Sequence, residues 1–155
     1  MKVLVLTISD RASKGEYKDK SGPAIEELLS NQLNKTEISR QVISDDPMAI
    51  RQAFQENLDK DIILTTGGTG LGPRDHTPEM TESFCDRMIP GIAEMIRRES
   101  FKETANAVLS RGIAGVKGKT VIINFPGSEK GARFCAELVI PILTHAKDML
   151  SGKKH

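Results

Sequence analysis

Apolar positions run through this chain in two rhythms. Residues 3–9 and residues 61–66 (Asp-Ile-Ile-Leu-Thr-Thr) are nearly continuous apolar runs, the pattern of strands buried on both faces. Residues 38–43 alternate around Ile38, Arg40 and Val42, and residues 121–124 form a further strand. Between them the spacing changes to that of helices. Ser21-Gly22-Pro23 starts a helix with Ile25, Leu28, Leu29 and Leu33 on one stripe. Asp45-Asp46-Pro47 opens a second, carrying Ile50, Phe54 and Leu58, with Asp46 placed as its cap.

Thr77-Pro78-Glu79 reads as a helix start with Thr77 as cap, and the helix is expected over residues 77–89. Pro90-Gly91 breaks it before another helix reaching about residue 101, and residues 104–111 carry no decisive pattern. Residues 116–120 look like a hairpin turn leading into the strand at 121–124. Residues 125–128 are a second turn, followed by a helix to the end, broken or restarted at Pro141.

Strands alternating with helices predict an α/β fold with a mostly parallel sheet and right-handed crossovers. In such sheets ligands bind beyond the carboxyl ends of the strands. Polar or glycine-rich loops follow four of the strands. They are Ser9-Asp10-Arg11, Ser44-Asp45-Asp46, the glycine loop after Thr66, and Asn124-Phe125-Pro126-Gly127-Ser128. Four such loops on one rim predict one composite site.

The glycine loop is the most informative segment. Gly67, Gly68, Gly70 and Gly72 leave backbone N–H groups free to approach an anion, and Arg74 and Asp75 follow at once. Arginine pairs with phosphate and aspartate holds a hard cation, so the segment reads as a phosphate site. It is neither of two familiar motifs. No Gly-Lys-Ser/Thr follows these glycines, and Gly118-Lys119-Thr120 lacks the earlier glycine, Ile113 standing in its place. The spacing after Gly68-x-Gly70 is also one residue short of the dinucleotide fingerprint, which disfavours a dehydrogenase.

Catalytic candidates are few. Ser9 and Ser128 have no evident His and carboxylate partners, and His76 reads equally as a helix-entry residue. Asp10, Asp45 and Asp75 stand at three strand ends. Asp45 and Asp75 suit a Mg²⁺ ion bound through one or two carboxylates and substrate phosphates.

Bulk properties narrow the class. A chain of 155 residues with net charge +1 has room for one domain, residues 1–155, and offers no basic face for nucleic acid. The short tail Lys153-Lys154-His155 reads as a frayed end. No apolar run reaches the roughly 20 residues of a membrane span. Cys85 and Cys135 lack metal-ligand spacing and suggest reduced thiols in the cytoplasm.

At these residues the sequence closely resembles the molybdopterin adenylyltransferase family of molybdenum-cofactor biosynthesis, the Mog/MoaB type. The likeness rests on Ile8-Ser9-Asp10-Arg11-Ala12-Ser13, Asp19-Lys20-Ser21-Gly22-Pro23-Ala24, Asp45-Asp46 and Thr65-Thr66-Gly67-Gly68-Thr69-Gly70. It continues through Pro73-Arg74-Asp75-x-Thr77-Pro78-Glu79, Leu109-Ser110-Arg111 and Asn124-Phe125-Pro126-Gly127-Ser128. His76 departs from the usual Val, and Phe125 from the common Leu.

The resemblance implies a three-layer α/β/α sandwich forming a single molybdopterin-binding domain, and a homotrimer. It implies transfer of AMP from Mg-ATP to the terminal phosphate of molybdopterin, with Mg²⁺ as cofactor and pyrophosphate as product. Asp45 and Asp75 map to the catalytic, metal-organising aspartates. Ser9, Asp10, Thr66, Gly67, Gly68, Thr69, Gly70, Arg74, Ser110, Arg111, Asn124, Pro126, Gly127 and Ser128 map to the nucleotide and molybdopterin pockets. Contact with a molybdenum-inserting enzyme is left open, as is a non-catalytic binding or scaffold role on the same fold.

Overall fold

A computed structural model describes residues 1–152. The tail residues 153–155, read above as a frayed end, lie outside the described part. The six strands among the described residues join one sheet in the order β2-β1-β3-β6-β5-β4. The strands are β1 (Lys2–Ile8), β2 (Glu37–Ile43), β3 (Ile62–Thr66), β4 (Arg87–Met88), β5 (Ala114–Lys117) and β6 (Thr120–Phe125). β2, β1, β3 and β6 are parallel, while β5 and β4 add an antiparallel edge.

The helices are α1 (Asp10–Ser13), α2 (Ser21–Gln32), α3 (Pro47–Glu56), α4 (Thr77–Phe84), α5 (Pro90–Glu103) and α6 (Glu129–Leu150), with a 3-10 turn at Ala105–Leu109. The continuous apolar runs have the expected consequence: successive side chains serve opposite faces of the sheet. Val3, Val5, Ile62, Leu64, Val121 and Ile123 pack beneath α2, α5 and α6. Leu4, Leu6, Ile63 and Ile122 pack on the other side with Ile50 and Phe54 of α3 and Phe84 of α4. Helices therefore cover both faces, and the α/β/α sandwich holds.

Four local expectations need correction. The helix predicted over 77–89 stops at Phe84, where Cys85 turns extended, and Arg87–Met88 pairs with Val116 and Gly115. Asp86 secures this edge by accepting from Lys117 Nζ at 2.7 Å and Gly118 N at 2.9 Å, contacts invisible to local periodicity. Thr77 is not the cap of α4. His76 takes that position without a side-chain bond, while the Thr77 hydroxyl turns inward. Residues 10–13, expected as polar loop, form a short helix because the Ser9 hydroxyl caps the Ala12 amide. Finally, α6 continues through Pro141. That residue is exposed, so the unmet carbonyl one turn earlier faces water.

Candidate active site

The register sets the site. Ile8 pairs with Ile43, and Thr7 with Thr66, which pairs with Phe125, so β1, β2, β3 and β6 end in one row. The loops leaving β1 and β3 diverge to opposite sides of the sheet, which opens a crevice between adjacent strand ends. All four suspected loops meet there.

Gly67 and Gly68 turn the chain sharply at φ +103° and +65°. A Cβ on Gly67 would stand 2.2 Å from the Ile8 carbonyl oxygen, and one on Gly68 2.4 Å from Thr77 Oγ1. Only glycine fits either position. The turn is held from below, where Thr77 Oγ1 donates to the Gly67 carbonyl at 2.9 Å and the Thr77 amide donates to Gly68 O. Among the described residues, the amides of Gly68, Thr69 and Gly70 donate to no protein acceptor. These are the bare donors that an anion needs.

Both candidate aspartates border this loop. The position a Gly68 Cβ would take is 3.4 Å from Asp45 Oδ1, and those of Gly70 and Gly72 are each 2.9 Å from Asp75 Oδ2. The Asp75 carboxylate accepts the Gly72 amide at 2.8 Å, folding the loop tip over itself. Asp45 Oδ2 accepts the Asp10 amide, and Asp10 in turn accepts the Asp45 amide. Burial pushes the Asp45 carboxyl above its ordinary range; the Asp10 amide opposes this, and the charges of Asp10 and Asp75 add to it. The Asp45 amide holds Asp10 low against some burial, with help from Arg74.

The remaining predicted residues divide by what they touch. Ser9 caps α1 and, with Thr66 and Gly67, lines a cavity of about 120 Å³ that also includes Thr7, Tyr17 and Asp19. On the other side of the Pro126-Gly127 turn, Ser110, Pro126 and Ser128 line a larger cavity of about 330 Å³ floored by Phe134 and Cys135. Ser128 also caps α6 through the Gly131 amide. Thr66 Oγ1 donates to the Pro126 carbonyl at 2.8 Å, tying the two turns together. A Cβ on Gly127 would meet Gly67 Cα at 3.3 Å, so two glycines let these turns touch.

Three predicted binding residues are engaged by the protein itself. Arg74 grips Asp10 with Nε and Nη2 at 3.0 and 3.1 Å. Arg111 is spent on the glycine loop and Glu79. Asn124 is buried, its amide nitrogen donating to Thr65 and Thr81 and its oxygen accepting from Ile113. Thr69 is also buried, and its carbonyl accepts the Arg111 amide at 2.9 Å.

Sequence reasoning missed Asp19 as a site residue. It accepts from Thr7 Oγ1 at 2.7 Å, Ser21 Oγ at 3.2 Å and Gly22 N at 3.0 Å, ordering the wall of the smaller cavity. An aspartate two residues before Ser21-Gly22-Pro23, capping the first turn from outside, was the available signal.

Residues 4–145 match the family described as "Probable molybdopterin binding domain". The chain is 43% identical over 152 residues to the molybdopterin adenylyltransferase of Helicobacter pylori (strain ATCC 700392 / 26695), covering 96% of this chain and 86% of that protein. Its counterpart in Escherichia coli K12 is 37% identical over 137 residues, covering 86% and 70%. Among solved structures, the molybdopterin biosynthesis enzyme MoaB of Thermus thermophilus superposes with TM-score 0.89 at 43% identity, covering 98% and 97%. With the family matched across nearly its whole length, and the strand-end loops assembled as the motifs require, the chain belongs to the molybdopterin-binding domain family of molybdenum-cofactor biosynthesis.

Proposed function

We propose that this protein is a molybdopterin adenylyltransferase that moves AMP from ATP to the terminal phosphate of molybdopterin and releases pyrophosphate. The relatives that share most of its length carry that activity in their names. The observation that best supports it in the geometry is the meeting of the unpaired Gly68–Gly70 amides with the Asp45 and Asp75 carboxylates.

The chemistry suits such a site. In the reaction an oxygen of the molybdopterin phosphate bonds to the α-phosphorus of ATP, and the bond from that phosphorus to the bridging oxygen breaks. A phosphate monoester has a second pKa near ~6, so the attacking group is mostly dianionic at neutral pH and needs no general base. A crevice wall built from glycine amides, hydroxyls and carboxylates is consistent with this. The chain's work is to position two anions and to offset their charge. The loop amides serve as fixed donors to phosphate oxygens. The crevice between the two cavities holds the reacting ends together.

Mg²⁺ fits the donor set. Asp45 carries a raised carboxyl beside two other aspartates, so a cation bound there relieves repulsion the fold leaves standing. No group of three or more His, Cys, Asp or Glu among the described residues could hold a metal by itself, which suits an ion that arrives with substrate phosphates. Asp45 and Asp75 would hold it, and it would neutralise triphosphate charge and ease departure of pyrophosphate.

The same reading takes the chain as one domain of a cytoplasmic homotrimer, supported by the family resemblance and two free cysteines. Among the described residues no helix is long and apolar enough to cross a membrane.

The test is pyrophosphate release from Mg-ATP with and without molybdopterin. Release that requires molybdopterin is expected. No release from a sample that binds molybdopterin would assign the chain to a carrier or scaffold role instead.

A further inference from the structure

We propose that Arg111 is a positioning residue that clamps the glycine loop and Asp75 from behind, rather than a ligand for substrate phosphate. Its guanidinium addresses three points on one loop and the helix that follows. Nε donates to the Gly70 carbonyl at 2.8 Å, Nη2 donates to the Asp75 carbonyl at 2.8 Å, and Nη1 pairs with the Glu79 carboxylate in α4. The Arg111 amide adds a bond to the Thr69 carbonyl at 2.9 Å. Four contacts from one residue thus span the loop from Thr69 to Glu79.

The clamp is mounted on a fixed base. Arg97 of α5 donates to the Gly112 carbonyl at 2.8 Å, and Asn124 of β6 accepts the Ile113 amide through its side chain and donates its own amide to the Ile113 carbonyl. Residues 111–113 are therefore tied to a helix and to a central strand while Arg111 reaches across to the loop. Thr77 holds the first turn at Gly67 and Gly68, and Arg74 ties the far end to Asp10, but between them the stretch from Thr69 to Gly72 is held to the rest of the fold by Arg111. Gly70 and Gly72 bring no side chains, Leu71 is 69% exposed, and the tip is closed only on itself, the Gly72 amide donating to the Asp75 carboxylate and the Asp75 amide to the Gly72 carbonyl. Glu79 answers the guanidinium charge: burial would lift its carboxyl, yet the Arg111 hydrogen bond and charge hold it below the usual range.

A planar fork suits this task and an ammonium does not. Lysine keeps the charge but cannot address two carbonyls and a carboxylate in three directions. A phosphate ligand would tolerate that exchange better, because a point charge still binds phosphate.

The proposal rests on the adenylyltransferase reading for its kinetic arm only. Arg111→Lys and Glu79→Gln are compared with wild type by hydrogen exchange of the peptide covering residues 67–76 in the ligand-free protein, and by steady-state pyrophosphate release. Exchange in Arg111→Lys is expected to quicken by about tenfold or more in that peptide alone, with kcat down about 100-fold and KM for molybdopterin unchanged. Glu79→Gln, an exposed change that leaves two legs of the clamp, should quicken exchange less. Wild-type exchange in both variants, or a rise in KM at unchanged kcat, would overturn the clamp. If wild type releases no pyrophosphate, the functional reading fails while the exchange result still decides the clamp. If Arg111→Lys does not fold, Glu79→Gln decides it alone.

Discussion

Asp10 and Asp45 hold each other through paired backbone-to-carboxylate bonds: the Asp10 amide reaches Asp45 Oδ2 at 2.7 Å, and the Asp45 amide reaches Asp10 Oδ1 at 3.0 Å. The ends of β1 and β2 are thereby locked in one relative position, and Arg74 extends the lock to the glycine loop. Asp10→Ala removes the acceptor for both the Asp45 amide and Arg74. Its kcat should fall roughly 10- to 100-fold from loss of alignment, with molybdopterin affinity measured by equilibrium binding largely kept.

Asp75→Asn keeps the size of the side chain and an oxygen for the Gly72 amide, but loses the charge. Pyrophosphate release should drop by about 100-fold or more, while the thermal midpoint stays near wild type. Unchanged turnover would remove Asp75 from the metal-binding role.

The raised carboxyl of Asp45 gives a pH dependence. Its folded value exceeds its unfolded one, so its contribution to stability is fully present below the unfolded value and is lost as pH rises through the folded one. Asp10 has the opposite sign: its contribution is present above its unfolded value and is lost as pH falls through the depressed folded one. Cation binding needs Asp45 ionised. Mg²⁺ affinity, titrated calorimetrically with ATP present, should weaken as pH is lowered into the raised range of Asp45. Asp45→Asn should abolish that limb.

Asn124→Leu tests a buried amide. It takes the Asn124 donor from the Thr65 and Thr81 hydroxyls, of which Thr81 keeps its bond to the Thr77 carbonyl, and removes the side-chain acceptor of the Ile113 amide, at a position closed to solvent. Denaturant unfolding should show a loss of about 1–3 kcal/mol.

Gly67→Ala places a methyl against the backbone oxygen of Ile8 at a positive φ. The variant should be destabilised by more than about 1 kcal/mol in thermal unfolding, and should lose turnover even where it remains folded.

Much of this was legible in the residues. The runs at 3–9 and 61–66 announced buried strands, and the loop after Thr66 announced itself by glycines that nothing but a close approach requires. What stayed hidden depends on partners distant in sequence. Arg87–Met88 became a strand because Gly115 leaves room for Cys85, whose sulfur would stand 2.7 Å from a Cβ there. Thr77 looked like a cap because its neighbours fit one, while its hydroxyl serves Gly67, ten residues back. Arg74, Arg111 and Asn124 carry the donors that phosphates and pterins require, and only their partners reveal that this chain uses them on itself.

The row in which β1, β2, β3 and β6 end bears on how the protein comes into being. Asp10, Asp45, Asp75 and Arg111 belong to separate stretches of chain, and β6, the strand beside which Arg111 is anchored, is laid down after all of them. Such distant pairings form slowly and together, because each strand closes a long loop before it is rewarded. A nascent chain that has emerged only through Asp75 therefore contains all three aspartates without holding the arrangement they need. The arrangement is complete only when the last strand has joined the sheet.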